Sequence, residues 1–154
     1  MAIVVNKPLP EFEANATGGI KVTNTSHLGQ TLVLYFYPKD NTPGCTTEGQ
    51  DFAEAYPSFR NANTVVFGVS KDSLKSHQNF RTKYGFPFDL ISDTDESICQ
   101  LFDVIREKSM YGKTYLGVDR STFLIDGAGI LRREWRSVKV KGHVDEVLEA
   151  VLAL

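Results

Sequence analysis

The sequence predicts a three-layer α/β domain, on three observations. Buried strands alternate with amphipathic helical segments from residue 31 to about residue 105, a hairpin and a last helix close the chain, and two apolar runs have the length of fully buried strands. Residues 1–30 mix polar and apolar positions around Gly18 and Gly19, between EFEANAT and IKVTN, which predicts an N-terminal β-hairpin. TLVLYFY, 31–37, is the first buried strand, and Pro38 ends it because proline cannot donate to a ladder. Lys39, Asp40 and Asn41 form a loop; Thr42 suits an N-cap, Pro43 the first helical position, and Gly44 and Cys45 complete the first turn. The helix carries Phe52 and Tyr56 to Pro57, which should bend or end it.

TVVFGVS, 64–70, is the second buried strand. Asp72 or Ser73 caps a helix to about Tyr84, with Gly85 as its stop, and FDLIS follows as a strand. Asp93 or Thr94 opens a further helix whose buried face is Ile98, Leu101, Phe102 and Ile105, with Cys99 bordering that face. Residues from Glu107 to Asp119 read as a loop, whose Met110, Tyr111 and Tyr115 would either rim a site or pack. STFLID and ILRREWR are strands about the Asp-Gly-Ala-Gly turn at 126–129, and Val144, Val147, Leu148, Val151 and Leu152 define a C-terminal amphipathic helix.

Composition excludes several classes. A chain of 154 residues fits one domain, 1–154, that buries about two thirds of its unfolded surface. No apolar run reaches the length of a membrane span, and the N-terminus lacks the basic start and long apolar core of a signal peptide, so the expected location is cytoplasmic. A net charge of -2 with interspersed signs offers no basic stripe for nucleic acid. His27, His77 and His143 are scattered and give no metal-ligand spacing with the cysteines, so no metal and no other cofactor is expected; His77 reads as a structural histidine. Two cysteines are too few for a secreted disulfide framework and point to redox chemistry.

The position of Cys45 gives that chemistry a place. At the third residue of a helix, a thiolate is stabilised by free N–H groups and by the positive end of the helix dipole. Cys45 also opens the stripe Phe52, Tyr56, Phe59, a pattern that packing alone produces. Pro38, Thr42 and Cys45 form P-x-x-x-T-x-x-C within FYPKDNTPGCTTE; together with Arg120 in DRSTFLID, the RREWR segment around Trp135 and the order of elements, they make the chain resemble a peroxiredoxin of the bacterioferritin comigratory protein (PrxQ) subfamily.

The resemblance implies a thioredoxin-like fold with an N-terminal β-hairpin and a central mixed sheet flanked by helices. It implies a thiol-dependent peroxidase for hydrogen peroxide and organic hydroperoxides, monomeric, and recycled by thioredoxin or glutaredoxin. Cys45 would be the peroxidatic residue. Thr42, Gly44 and Arg120 would hold the peroxide, with Arg120 also stabilising the thiolate, and Pro38 would shield the sulfur. A resolving cysteine five residues on is absent, that position being Gln50, so the resemblance assigns resolution to Cys99 in DTDESICQLFDVI. Where thioredoxin carries C-x-x-C this turn reads Thr42-Pro43-Gly44-Cys45, which sets aside ordinary dithiol exchange. The alternatives are a thiol-disulfide oxidoreductase or redox sensor without peroxidase turnover, and a binding module whose cysteines only pack. Gly44 and Gly49 each weaken a helix by about 1 kcal/mol relative to alanine, so the Cys45 turn is expected to open to let a disulfide form.

Overall fold

The computed structural model describes residues 3–154; the first two residues of the expected N-terminal hairpin region lie outside the described residues. Leu32 to Tyr37 are all buried, and around them a seven-stranded mixed sheet is built. Its strands are β1 (Glu13–Ala16), β2 (Lys21–Thr23), β3 (Thr31–Phe36), β4 (Thr64–Ser70), β5 (Leu90–Ser92), β8 (Ser121–Ile125) and β9 (Leu131–Trp135), in the spatial order β2-β1-β5-β4-β3-β8-β9. The pairs β3–β4 and β4–β5 are parallel, the others antiparallel. The N-terminal hairpin is β1 and β2, joined through a 3-10 turn with Gly18 at φ 73°.

The helices are α1 (Pro43–Asn61), α2 (Leu74–Tyr84), α3 (Ser97–Leu101) and α4 (His143–Leu152). Strand alternation sorts the core into two layers. Val33 and Tyr35 of β3, and Tyr37 just after it, face a cluster with Phe52 and Phe59 of α1, Phe80 of α2 and Val147 of α4. Leu32, Leu34 and Phe36 face the other cluster, with Leu9, Phe12, Ile98, Cys99 and Phe102. One flank is thus three helices; the other is α3, the N-terminal segment and the base of a second hairpin.

β4 and α2 stand where the sequence puts them: Ser73 caps α2 by accepting from the Ser76 N–H, and Gly85 closes it at φ 65°. Four expectations are corrected. Pro57 does not end α1, which runs on to Asn61; Pro57 is exposed, and the buried Phe59 anchors the last turn so that the helix tolerates the missing donor. The helix expected up to Ile105 stops at Leu101, because Asp103 turns left-handed at φ 56° and the Val104 N–H returns to the Cys99 carbonyl. Residues 107–119 are mostly a two-stranded hairpin, β6 (Ile105–Met110) and β7 (Lys113–Val118), turned by Tyr111 and Gly112 at φ 52° and 76°, the geometry of a two-residue hairpin turn. Leu152 lies outside the buried stripe of α4, at 67% exposure.

Candidate active site

The site begins at the carboxyl end of β3, where Pro38 follows the buried strand and α1 starts five residues on. Thr42 occupies the N-cap position in extended conformation, but its side chain makes no cap bond: Oγ1 donates to the Lys39 carbonyl at 2.8 Å. Capping was the expected use of Thr42, and the departure has a consequence. The first bond of the helix runs from the Thr46 N–H to the Thr42 carbonyl, so the N–H groups of Gly44 and Cys45 have no acceptor within the helix. A cap would have taken one of them; here both are left for a ligand.

Cys45 is buried at 1% exposure, one helical turn before Glu48. Arg120, 75 residues later and immediately before β8, reaches both. Its Nη2 donates to Cys45 Sγ at 3.5 Å and its Nη1 to Glu48 Oε1 at 2.7 Å. Burial works against the Arg120 charge, and Glu48 and Cys45 more than offset it, so the guanidinium stays firmly cationic. Gly44 eases this approach, since a Cβ there would stand 3.1 Å from Arg120 Nη2, and the guanidinium would have to yield by a few tenths of an ångström. Gly49, one turn on, serves packing: a Cβ would lie 2.6 Å from Phe86 Cζ. Gly49 is therefore more than a weak point in the helix.

Glu48 was not singled out from the sequence. It is wholly buried, burial pushes its carboxyl up to about 7 against the pull of Arg120, and its Oε2 finds no partner among the described residues. Its signal is spacing, because a residue three after Cys45 lies on the same face of a helix.

Thr42, Gly44, Cys45 and Arg120 thus come together at the first turn of α1, with Pro38 in the loop that leads into it. Cys99 does not join them. Cys45 belongs to the core layer of Val33 and Tyr35, and Cys99 to the layer of Leu34 and Phe36 on the opposite face of the sheet. Cys99 is fully buried, its N–H donates to Asp93 Oδ2 at 2.7 Å, and burial, with Asp93 beside it, pushes its thiol well above the ordinary range. The structural reading of His77 holds: it is wholly buried between Asp40 and the Ile91 carbonyl. His143 is buried against Thr122 Oγ1 at 2.8 Å.

Chemically, a thiolate at this turn faces two free backbone donors and a cation, a set suited to a small substrate that gains negative charge on reaction. Two surface grooves, of about 420 and about 530 Å³, run along α1 and include none of these residues.

The comparisons with known proteins agree with that chemistry. The AhpC/TSA family model matches residues 5–134. Peroxiredoxin Bcp of Xanthomonas campestris pv. campestris is 52% identical over 152 residues, 97% of this chain and 95% of the relative. Peroxiredoxin Bcp of Bacillus subtilis is 44% identical over 151 residues, 98% and 96% of the two chains. A solved structure of the Xanthomonas campestris bacterioferritin comigratory protein, described for its alkyl peroxide reduction activity, superposes with a TM-score of 0.88 at 53% identity, covering 92% of this chain and 90% of the other.

Proposed function

We propose, for a chain that belongs to the AhpC/TSA family and is a peroxiredoxin of the bacterioferritin comigratory protein (PrxQ) type, that Cys45 is the residue on which its activity turns. The protein is a thiol-dependent peroxidase with a thioredoxin-like fold. In the proposed cycle the Cys45 thiolate attacks the O–H oxygen of the hydroperoxide, the O–O bond breaks, the attacked oxygen stays on sulfur with its proton as a sulfenic acid, and the departing oxygen takes one proton from solvent and leaves as water or an alcohol. Arg120 and the N–H groups of Gly44 and Cys45 donate to the peroxide oxygens. Thr42 Oγ1, its own proton committed to Lys39, accepts from the peroxide O–H. Pro38 keeps bulk water from the sulfur. The observation that carries the reading is Arg120 Nη2 at 3.5 Å from Cys45 Sγ, at a helix start without a side-chain cap.

The substrates extend to organic hydroperoxides. Met110, Tyr111, Tyr115 and Leu116 are exposed, so packing is not their purpose, and they lie on the hairpin whose Lys108 is close enough to interact with the Cys45 charge. The Xanthomonas campestris relative, described for alkyl peroxide reduction, supports the same extension. Cys99 is the internal thiol that condenses with the sulfenic acid, releasing water and forming a disulfide that thioredoxin or glutaredoxin reduces. The protein works as a cytoplasmic monomer.

One observation favours a second reading of the resolving step alone. With Cys45 and Cys99 in core layers on opposite faces of the sheet, a disulfide requires the segments that hold them to leave their places and come together, whereas an external thiol needs only access to the Cys45 turn. Peroxide-dependent NADPH oxidation coupled through thioredoxin and its reductase tests both points. Wild-type turnover and its loss in Cys45→Ser support the assignment, and retained activity in that variant refutes it. Turnover lost in Cys99→Ser, with an intramolecular disulfide in the wild type by intact mass, supports internal resolution; unchanged turnover in Cys99→Ser assigns resolution to the external thiol.

A further inference from the structure

We infer that the buried Asp40–His77 pair is a positioning device for the catalytic loop, fixing residues 38–42 so that Thr42 and the first turn of α1 stand in line for attack on the peroxide. The inference rests on Cys45 being the peroxidatic residue. Between the exposed Lys39 and Asn41, Asp40 turns inward and is only 5% exposed, the chain reversing at Asn41 with φ 63°. Its Oδ1 accepts from the Tyr37 hydroxyl at 2.7 Å, and its Oδ2 accepts from Ser76 Oγ at 2.8 Å and stands 2.7 Å from His77 Nδ1. Its N–H donates to Asp72 Oδ2 at 3.0 Å, which also accepts from Ser70 Oγ.

His77 lies 2.9 Å by Nε2 from the Ile91 carbonyl, an atom that can only accept, so Nε2 carries a hydrogen. A second proton must then lie between Nδ1 and Asp40 Oδ2 for their contact to be attractive. The loop is thereby fastened at its midpoint to the end of β3, to α2, and through them to β4 and β5. Asp40, Asp72 and His77 bring possible ligand atoms within 4.8 Å of one another, and the hydrogen bonds just described satisfy that cluster without a cation. Asp40 neighbours Lys39, whose carbonyl orients the Thr42 hydroxyl, and the Thr42 carbonyl accepts the first bond of α1. Loss of the fastening displaces the groups that meet the peroxide while leaving Arg120 and the helix dipole beside Cys45.

Two rates measured on the reduced protein separate positioning from general damage: attack on hydrogen peroxide, and alkylation of Cys45 by iodoacetamide, which needs the thiolate but not the peroxide alignment. In Asp40→Asn and His77→Leu the peroxide rate should fall about 100-fold, the size expected when reacting groups shift by about an ångström, with alkylation changed by less than about threefold. His77→Asn, which keeps a donor toward Asp40, should regain about tenfold of that loss, and Ser76→Ala, which removes one donor from the same carboxylate, should slow the reaction severalfold. Wild-type peroxide rates in Asp40→Asn and Ser76→Ala overturn the inference even where His77→Leu fails to fold, and so does a parallel fall of both rates. A peroxidatic role for Cys45 fails separately, through persistence of peroxide reduction in Cys45→Ser.

Discussion

Glu48→Gln keeps the shape of the side chain and one acceptor for Arg120 while removing a buried charge, and its effect should be read in how stability changes with pH. Burial raises the Glu48 carboxyl from 4.5 to about 7 in the folded protein, a gap of about 2.5 pH units, which at about 1.4 kcal/mol per unit is about 3 kcal/mol. Below pH 4.5 the group is protonated in both states and contributes nothing. From there to about pH 7 the unfolded chain ionises first, so stability falls; above pH 7 both states are ionised and the cost is constant. Urea denaturation of both proteins at pH 4.5, 6 and 7.5 measures this. The wild type should lose about 3 kcal/mol relative to Glu48→Gln between the first and last of these, whatever the absolute stability of the variant. Parallel curves across that range would refute the argument that Glu48 is held in a site too dry for its charge.

His143 acts in the opposite sense. Burial lowers it from 6.5 to about 4, so stability is lost as pH falls through that window, and His143→Gln should flatten the acid side of the profile in the same denaturation series. Arg120→Ala should slow peroxide attack by about 100-fold or more, because it removes the cation aimed at the developing charge; stopped-flow rates within threefold of wild type would count against that role. Gly49→Ala should destabilise by about 1 to 3 kcal/mol although alanine is the better helix former, since its Cβ meets the Phe86 ring, and a gain in melting temperature would show that Phe86 yields freely.

The turn at Cys45 was legible because several strong local signals coincide within residues 31–45: a buried strand, a proline stop, a proline at the first helical position and a cysteine two residues later. β4 and α2 were legible for the same reason, each having a continuous apolar run or a cap and a glycine stop. The hairpin from Ile105 to Val118 was not, because most of its residues are exposed and charged and apolar side chains share its faces, which erases the alternation that marks a half-buried strand. Glu48 escaped notice because a glutamate in a helix ordinarily marks the solvent face, and only the arrival of Arg120 from a distant strand gives it a partner. That Cys45 and Cys99 stand on separate helices, so that a disulfide needs the Cys45 turn to open, is legible in the sequence; that they lie on opposite faces of the sheet is not, for a topological reason. Periodicity tells which residues are buried, but which face of the sheet each helix covers depends on strand order and crossover, and these are set by tertiary pairing.

The central claim is that Cys45 meets the peroxide, and trapping the sulfenic acid tests it most directly. Reduced wild-type protein treated with one equivalent of hydrogen peroxide in the presence of dimedone, then digested and mapped by mass spectrometry, should carry the adduct on Cys45, with none on Cys99. An adduct on Cys99 while Cys45 remains free to be alkylated would contradict the account.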